Sequence, residues 1–168
     1  NKTMTQVFTY PGDMGGGYYA SHWNPVRGIM VIIAYSLRVF VPGRNAEFSW
    51  NLPPSPPVVG LGTAMLVGKW GFCYDSKRDV YYIWSGGSDH GSVYVLTPPA
   101  VGQDPLSANW TTSLMTNTGT PPTFFIAGAD LPNAAKNGTY GRLFYSERLD
   151  AIGVVSRVTD KISILPLS

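Results

Sequence analysis

The stretch Lys69 to Pro98, KWGFCYDSKRDVYYIWSGGSDHGSVYVLTP, constrains this chain more than any other. It reads as three consecutive antiparallel strands joined by two tight turns. The first strand ends in Tyr74-Asp75, a polar turn Ser76 to Asp79 follows, and Val80 to Ser85 is dense in β-branched and aromatic residues. Gly86 to Gly91 supplies a flexible reversal into Ser92 to Thr97, which Pro98 stops. Along the middle strand Val80, Tyr82 and Trp84 point one way, and Tyr81 and Ile83 point the other. A sheet that is apolar on both faces has to be covered on both faces, so this unit requires a neighbour on each side.

The same punctuation occurs twice more. Trp23-Asn24 before Gly28-Ile29, Tyr74-Asp75 before Asp79-Val80, and Tyr145-Ser146 before Asp150-Ala151 share one pattern: an aromatic, a small polar residue, three variable positions, Gly or Asp, then an apolar strand. Each copy closes at a proline, in Val41-Pro42, Thr97-Pro98 and Leu165-Pro166. The anchor aromatics lie 51 and 71 residues apart, counted from Trp23 to Tyr74 and from Tyr74 to Tyr145. The first spacing fits the period of about 50 residues of a kelch-type propeller blade, and the second implies a long insertion.

These residues resemble the kelch-like, galactose-oxidase-like β-propellers, in particular a divergent bacterial and phage type. The resemblance is carried by Tyr82-Ile83-Trp84-Ser85-Gly86-Gly87 with Asp89-His90, by Val93-Tyr94-Val95, by Trp110 and by the terminal YGRLFYSERLDAIGVVSRVTDKISIL. The middle unit keeps the kelch order of a glycine pair, a Tyr and a Trp, whereas Ala34-Tyr35 and Val155-Ser156 replace the glycines in the outer two. The implied fold is all-β: a β-propeller-like array of about three four-stranded antiparallel blades. The chain reads as a single domain spanning residues 1–168, with blade units near 18–50, 69–115 and 140–166. Residues 4–10 are the candidate strand that closes the last blade.

Within the units, Ile29 to Ile33, Leu37 to Val41 and Glu47 to Trp50 follow Tyr18 to His22, and Trp110 to Met115 is the outer strand of the middle blade. Four prolines between Leu52 and Gly60 require an extended crossing. Val58 to Val67 reads as a loop or an extra strand at a blade edge. Arg142 to Ser146, Ala151 to Val155 and Ile162 to Leu165 form the last unit.

Charge and cysteine content exclude several function classes. A formal net charge of +2, with no Lys/Arg cluster larger than Lys77-Arg78, gives no electrostatic footprint for nucleic acid. No apolar run approaches the roughly 20 residues of a membrane-spanning helix. The single cysteine, Cys73, allows neither an intrachain disulfide nor a cysteine-based zinc site, and its place between Phe72 and Tyr74 reads as a buried, inert thiol.

Candidate ligand-binding residues are few. Asp89 and His90 sit in the glycine-rich loop Gly86 to Gly91, where a blade turn is open to ligands. His22 lies beside Trp23 at the entry to the first unit. The bland alternatives are a hairpin turn capped by Asp89 and a hydrogen-bonded strand-end histidine. Two histidines without placed carboxylates make no metal site, and no catalytic residue or cofactor is expected. The chain therefore reads as a non-catalytic binding or structural module that presents loops to a protein or glycan partner, in a virion, tail appendage or extracellular bacterial surface. The alternative that the resemblance raises is a carbohydrate-active or galactose-oxidase-like enzyme with its catalytic residues elsewhere. Three units in a line would leave Ile29 to Ile33 and Ala151 to Val155 wet on the outer faces. A homo-oligomer, or a longer chain supplying further blades, is the expected remedy.

Overall fold

The structure is a computed structural model, and it describes residues 20–33, 36–44, 55–61, 71–84, 92–115, 143–155 and 162–167. These form eleven strands and no helix. Strands β1 (Ala20–Asn24), β2 (Ile29–Ile33) and β3 (Leu37–Phe40) make a first antiparallel sheet. The middle sheet has the order β4-β8-β7-β6-β5, from β4 (Val58–Gly60), β5 (Gly71–Asp75), β6 (Val80–Trp84), β7 (Val93–Thr97) and β8 (Trp110–Met115). A third antiparallel sheet holds β9 (Leu143–Ser146), β10 (Ala151–Val154) and β11 (Ser163–Pro166).

The middle sheet is covered on both faces, as its two-sided apolar pattern requires. Phe72, Tyr74, Tyr81, Ile83, Leu96 and Trp110 pack with Ile29, Val31, Ile33, Leu37 and Val39 of the first sheet. On the other face Cys73, Tyr82, Trp84 and Val93 pack with Leu143, Ile152 and Val154 of the third. The alternation of β6 sends consecutive residues into different cores: Tyr81 and Ile83 into one, Tyr82 and Trp84 into the other. The Tyr81 ring stacks on Phe72 at 5.2 Å and meets Trp110 at 6.2 Å. Trp110 is anchored further by its indole N–H, which donates to the Pro105 carbonyl at 2.9 Å. The first strands of the three sheets are neighbours, β1 against β5 and β5 against β9.

Several expectations need correction. The middle unit has five strands rather than four. β4 pairs parallel to β8 through Val58 with Trp110, Val59 with Thr111 and Gly60 with Thr112, so β8 is not the outermost strand. Gly60 is needed there: its φ is +87°, and a Cβ would collide with the Thr112 carbonyl oxygen. The first and third sheets have three strands each among the described residues. The expected strands Glu47 to Trp50 and 4–10 lie outside the described residues. Of the segments expected to be wet, Ile29, Val31 and Ile33 and likewise Ile152 and Val154 point inward to the middle sheet. On the outer faces Ile32, Phe40 and Ala151 are buried, while Trp23, Phe144 and Ile164 are exposed. No helix of the described residues is long and apolar enough to cross a membrane.

Candidate functional site

The most organised polar feature is a row of three equivalent turns: Asn24 to Gly28, Asp75 to Asp79 and Ser146 to Asp150. In each, the side chain at the first place accepts a backbone N–H from the fourth. Arg27 donates to Asn24 Oδ1 at 3.0 Å, Arg78 to Asp75 Oδ1 at 3.1 Å and Leu149 to Ser146 Oγ at 3.4 Å. The fifth place has positive φ in all three, at 65° for Gly28, 52° for Asp79 and 46° for Asp150. Aspartate is among the residues that tolerate this conformation, which is why Gly and Asp alternate here.

The turns are linked in one direction. Arg27 of the first donates Nε to Asp79 Oδ2 of the second at 2.7 Å, and its Nη2 lies 2.7 Å from the same oxygen. Buried Asn24 donates Nδ2 to Asp79 Oδ1 at 2.8 Å, and the Tyr74 hydroxyl donates to that oxygen at 2.9 Å. Arg78 of the second turn grips Asp150 of the third with two parallel bonds, Nη1 to Oδ1 at 2.7 Å and Nη2 to Oδ2 at 2.8 Å. Tyr145 donates to Asp150 Oδ1 at 2.9 Å, repeating the part of Tyr74. Behind this pair the buried Asp75 accepts from Arg78 Nη1 at 2.8 Å, from the Tyr82 hydroxyl at 3.1 Å and from the Lys77 N–H at 2.8 Å. A further bidentate pair, Arg44 to Asp104 at 2.7 and 3.2 Å, ties the segment after β3 to the loop after β7 at the same end of the stack.

Protonation follows from these contacts. Burial alone would raise the Asp79 carboxyl, but the bonds from Arg27, Asn24 and Tyr74 outweigh it and leave the group below its ordinary value. The Arg78 fork holds Asp150 well below the carboxylate range, and Arg44 lowers Asp104 to about 2. Burial, and then the bond to Asp79, pushes the Tyr74 hydroxyl up. Burial also pushes up the Cys73 thiol, which agrees with its reading as an inert core residue.

The residues singled out from sequence lie elsewhere. Asp89 and His90, between β6 and β7 in the chain, fall outside the described residues. His22 is exposed on β1, its Nδ1 3.2 Å from the Trp23 carbonyl and its ring 6.2 Å from Tyr74. Adjacent strand residues point to opposite faces, so Trp23 looks away from the middle sheet, 47% exposed, on the face opposite His22. Trp84 and Trp110 are core residues, whereas Trp23 is not. Among the described residues no three His, Cys, Asp or Glu side chains gather as metal ligands would. What sequence reading missed is the arginine: the repeat treats the fourth turn position as variable, yet Arg27 and Arg78 both occupy it, and that recurrence was the available signal. No family model matches the chain, and no curated protein or solved structure matches it either.

Proposed function

We propose that this chain is a kelch-like binding or structural module that works by presenting loops from a rigid stack to a protein or glycan partner, on a virion or bacterial surface. The observation that supports this reading is how the charges are used. Asp75, Asp79, Asp104 and Asp150 are each gripped by an arginine, and three of the four pairings cross from one sheet to the next. Groups held this way stiffen a scaffold; they are not poised to transfer protons or hold a substrate. The loop we assign to partner contact is the glycine-rich segment between β6 and β7 in the chain that carries Asp89 and His90.

The test is a glycan array and a surface-display binding screen with the intact chain and with Asp89→Ala/His90→Ala. Retention of a ligand by the parent, and its loss in a variant with unchanged circular dichroism, supports the reading. Stoichiometric copper with oxidase activity on galactosides would replace it with the enzyme alternative.

A further inference from the structure

The series of turns changes character at both of its ends. Each internal junction pairs an arginine at the fourth place of one turn with an aspartate at the fifth place of the next, Arg27 with Asp79 and Arg78 with Asp150. The third turn has Leu149 where the arginine would stand, and the first has Gly28 where the aspartate would stand. Had only one end changed, a lone charge of the series would face outward; instead the donor and the acceptor are both absent. Apolar surface replaces them. Leu149 is 58% exposed, and Trp23, at the place Tyr74 and Tyr145 take in the other turns, is 47% exposed.

The strands beside these turns are open in the same sense. β5 packs on β1, and β9 on β5, so that among the described residues one side of β1 and one side of β9 have no neighbouring first strand packed on them to the same extent. On β1 that side carries exposed Ser21 and Trp23. On the third sheet it carries the row Phe144, Gly153 and Ile164, with Phe144 lying over Gly153 and Ile162 exposed further along.

The geometry points to a second copy of this chain as the occupant: the open side of β9 in one copy packs on the open side of β1 in the other, Leu149 seated over Gly28 and Trp23. The junction repeats the one the chain already makes twice, with an apolar contact in place of the ion pair. The displacement that carries Arg27 onto Asp79 and Arg78 onto Asp150 would carry Leu149 onto a Gly28, which leaves room for it. Two copies related by a two-fold axis make this contact twice and close a ring of six units, within the span of about 4 to 8 blades of closed propellers, so no open polymer results.

Sedimentation of three forms decides. The parent chain is expected to be a dimer. Gly28→Asp places an uncompensated carboxylate under Leu149 at a position where Asp79 and Asp150 show that aspartate fits, and where a new Cβ meets nothing within 4 Å. It should weaken the dimer about tenfold or more, the usual consequence of burying a charge without a partner. Adding Leu149→Arg to that variant recreates the internal pair and should restore the dimer. A monomeric parent, an assembly larger than two, a Gly28→Asp dimer as tight as the parent, or a double variant that stays apart would each overturn the proposal. If Gly28→Asp does not fold, Leu149→Glu, at an exposed turn position, takes its place, and a dimer that withstands it is equally fatal.

Discussion

Arg78 holds Asp150 through two parallel hydrogen bonds of 2.7 and 2.8 Å while its Nη1 also reaches the buried Asp75 at 2.8 Å. One guanidinium thus joins the middle sheet to the third from the protein's own turn, without any loop reaching across. Lysine has a single charged nitrogen and cannot make this fork. Arg78→Lys should therefore lower the melting temperature although charge is conserved, and a melt indistinguishable from the parent would show that the fork adds nothing to the single ion pair.

The junction between the first and middle sheets rests on Asp79, which accepts from Arg27, Asn24 and Tyr74. Asp79→Asn keeps the shape and the tolerance of positive φ but removes the charge, so its effect isolates the electrostatics. The expected cost is about 1 to 3 kcal/mol, because Arg27 and Asn24 are left imperfectly satisfied in a largely buried place. A double-mutant cycle with Arg27→Met in chemical denaturation measures the coupling; additive effects would mean the pair contributes nothing.

Trp84 is buried in the core shared by the middle and third sheets, next to Cys73, Tyr82 and Ile152. Trp84→Ala should cost about 3 to 5 kcal/mol, the usual range for truncating a large core aromatic. Denaturant melts showing less than about 1 kcal/mol would mean that the two sheets do not share that core.

Two glycines sit against close neighbours yet should respond differently. At Gly60 the neighbour is the Thr112 carbonyl, which the β4–β8 pairing holds in place, and the positive φ adds strain, so Gly60→Ala should cost about 1 to 3 kcal/mol and free β4. At Gly153 the neighbour is the ring tip of Phe144, a side chain 37% exposed that can swing outward. Gly153→Ala should stay within about 1 kcal/mol of the parent. Hydrogen exchange at the Leu61 amide, which donates to the Thr112 carbonyl, reports the first effect directly.

Acid and alkali should act through different groups. Asp79, Asp104 and Asp150 titrate lower folded than unfolded, so between the two values the unfolded chain binds more protons. Their contribution is fully present above about pH 4 and is lost as pH falls towards the folded values, which for Asp104 is about 2. Tyr74, Tyr81 and Tyr82 are raised chiefly by burial, and Tyr145 is pushed up to about 12 by burial and its bond to Asp150. For these the sign reverses, and stability declines as pH rises above about 10. Melting temperatures across the pH range should form a plateau with a fall at each end. Tyrosinate absorbance from these four should appear only together with unfolding.

Local pattern alone determined much of this protein. The two-residue alternation of Val80 to Trp84, apolar in both phases, requires a sheet covered on both sides, and each side has its own core. The repeated aromatic and small polar residue before Gly or Asp marks three hairpin turns, because positive φ at the fifth place admits few residues. The strands after those turns follow within a residue or two. Tertiary structure decided what these patterns could not. Val58 to Gly60, legible as either a loop or an extra edge strand, becomes a strand because β8 offers an edge, and its parallel partner 52 residues away, as from Val58 to Trp110, is not marked by any local pattern. Arg27 and Arg78 look like ordinary solvated turn residues until the next sheet places an aspartate within 3 Å, since an ion pair across sheets depends on distance in space and not on spacing in the chain.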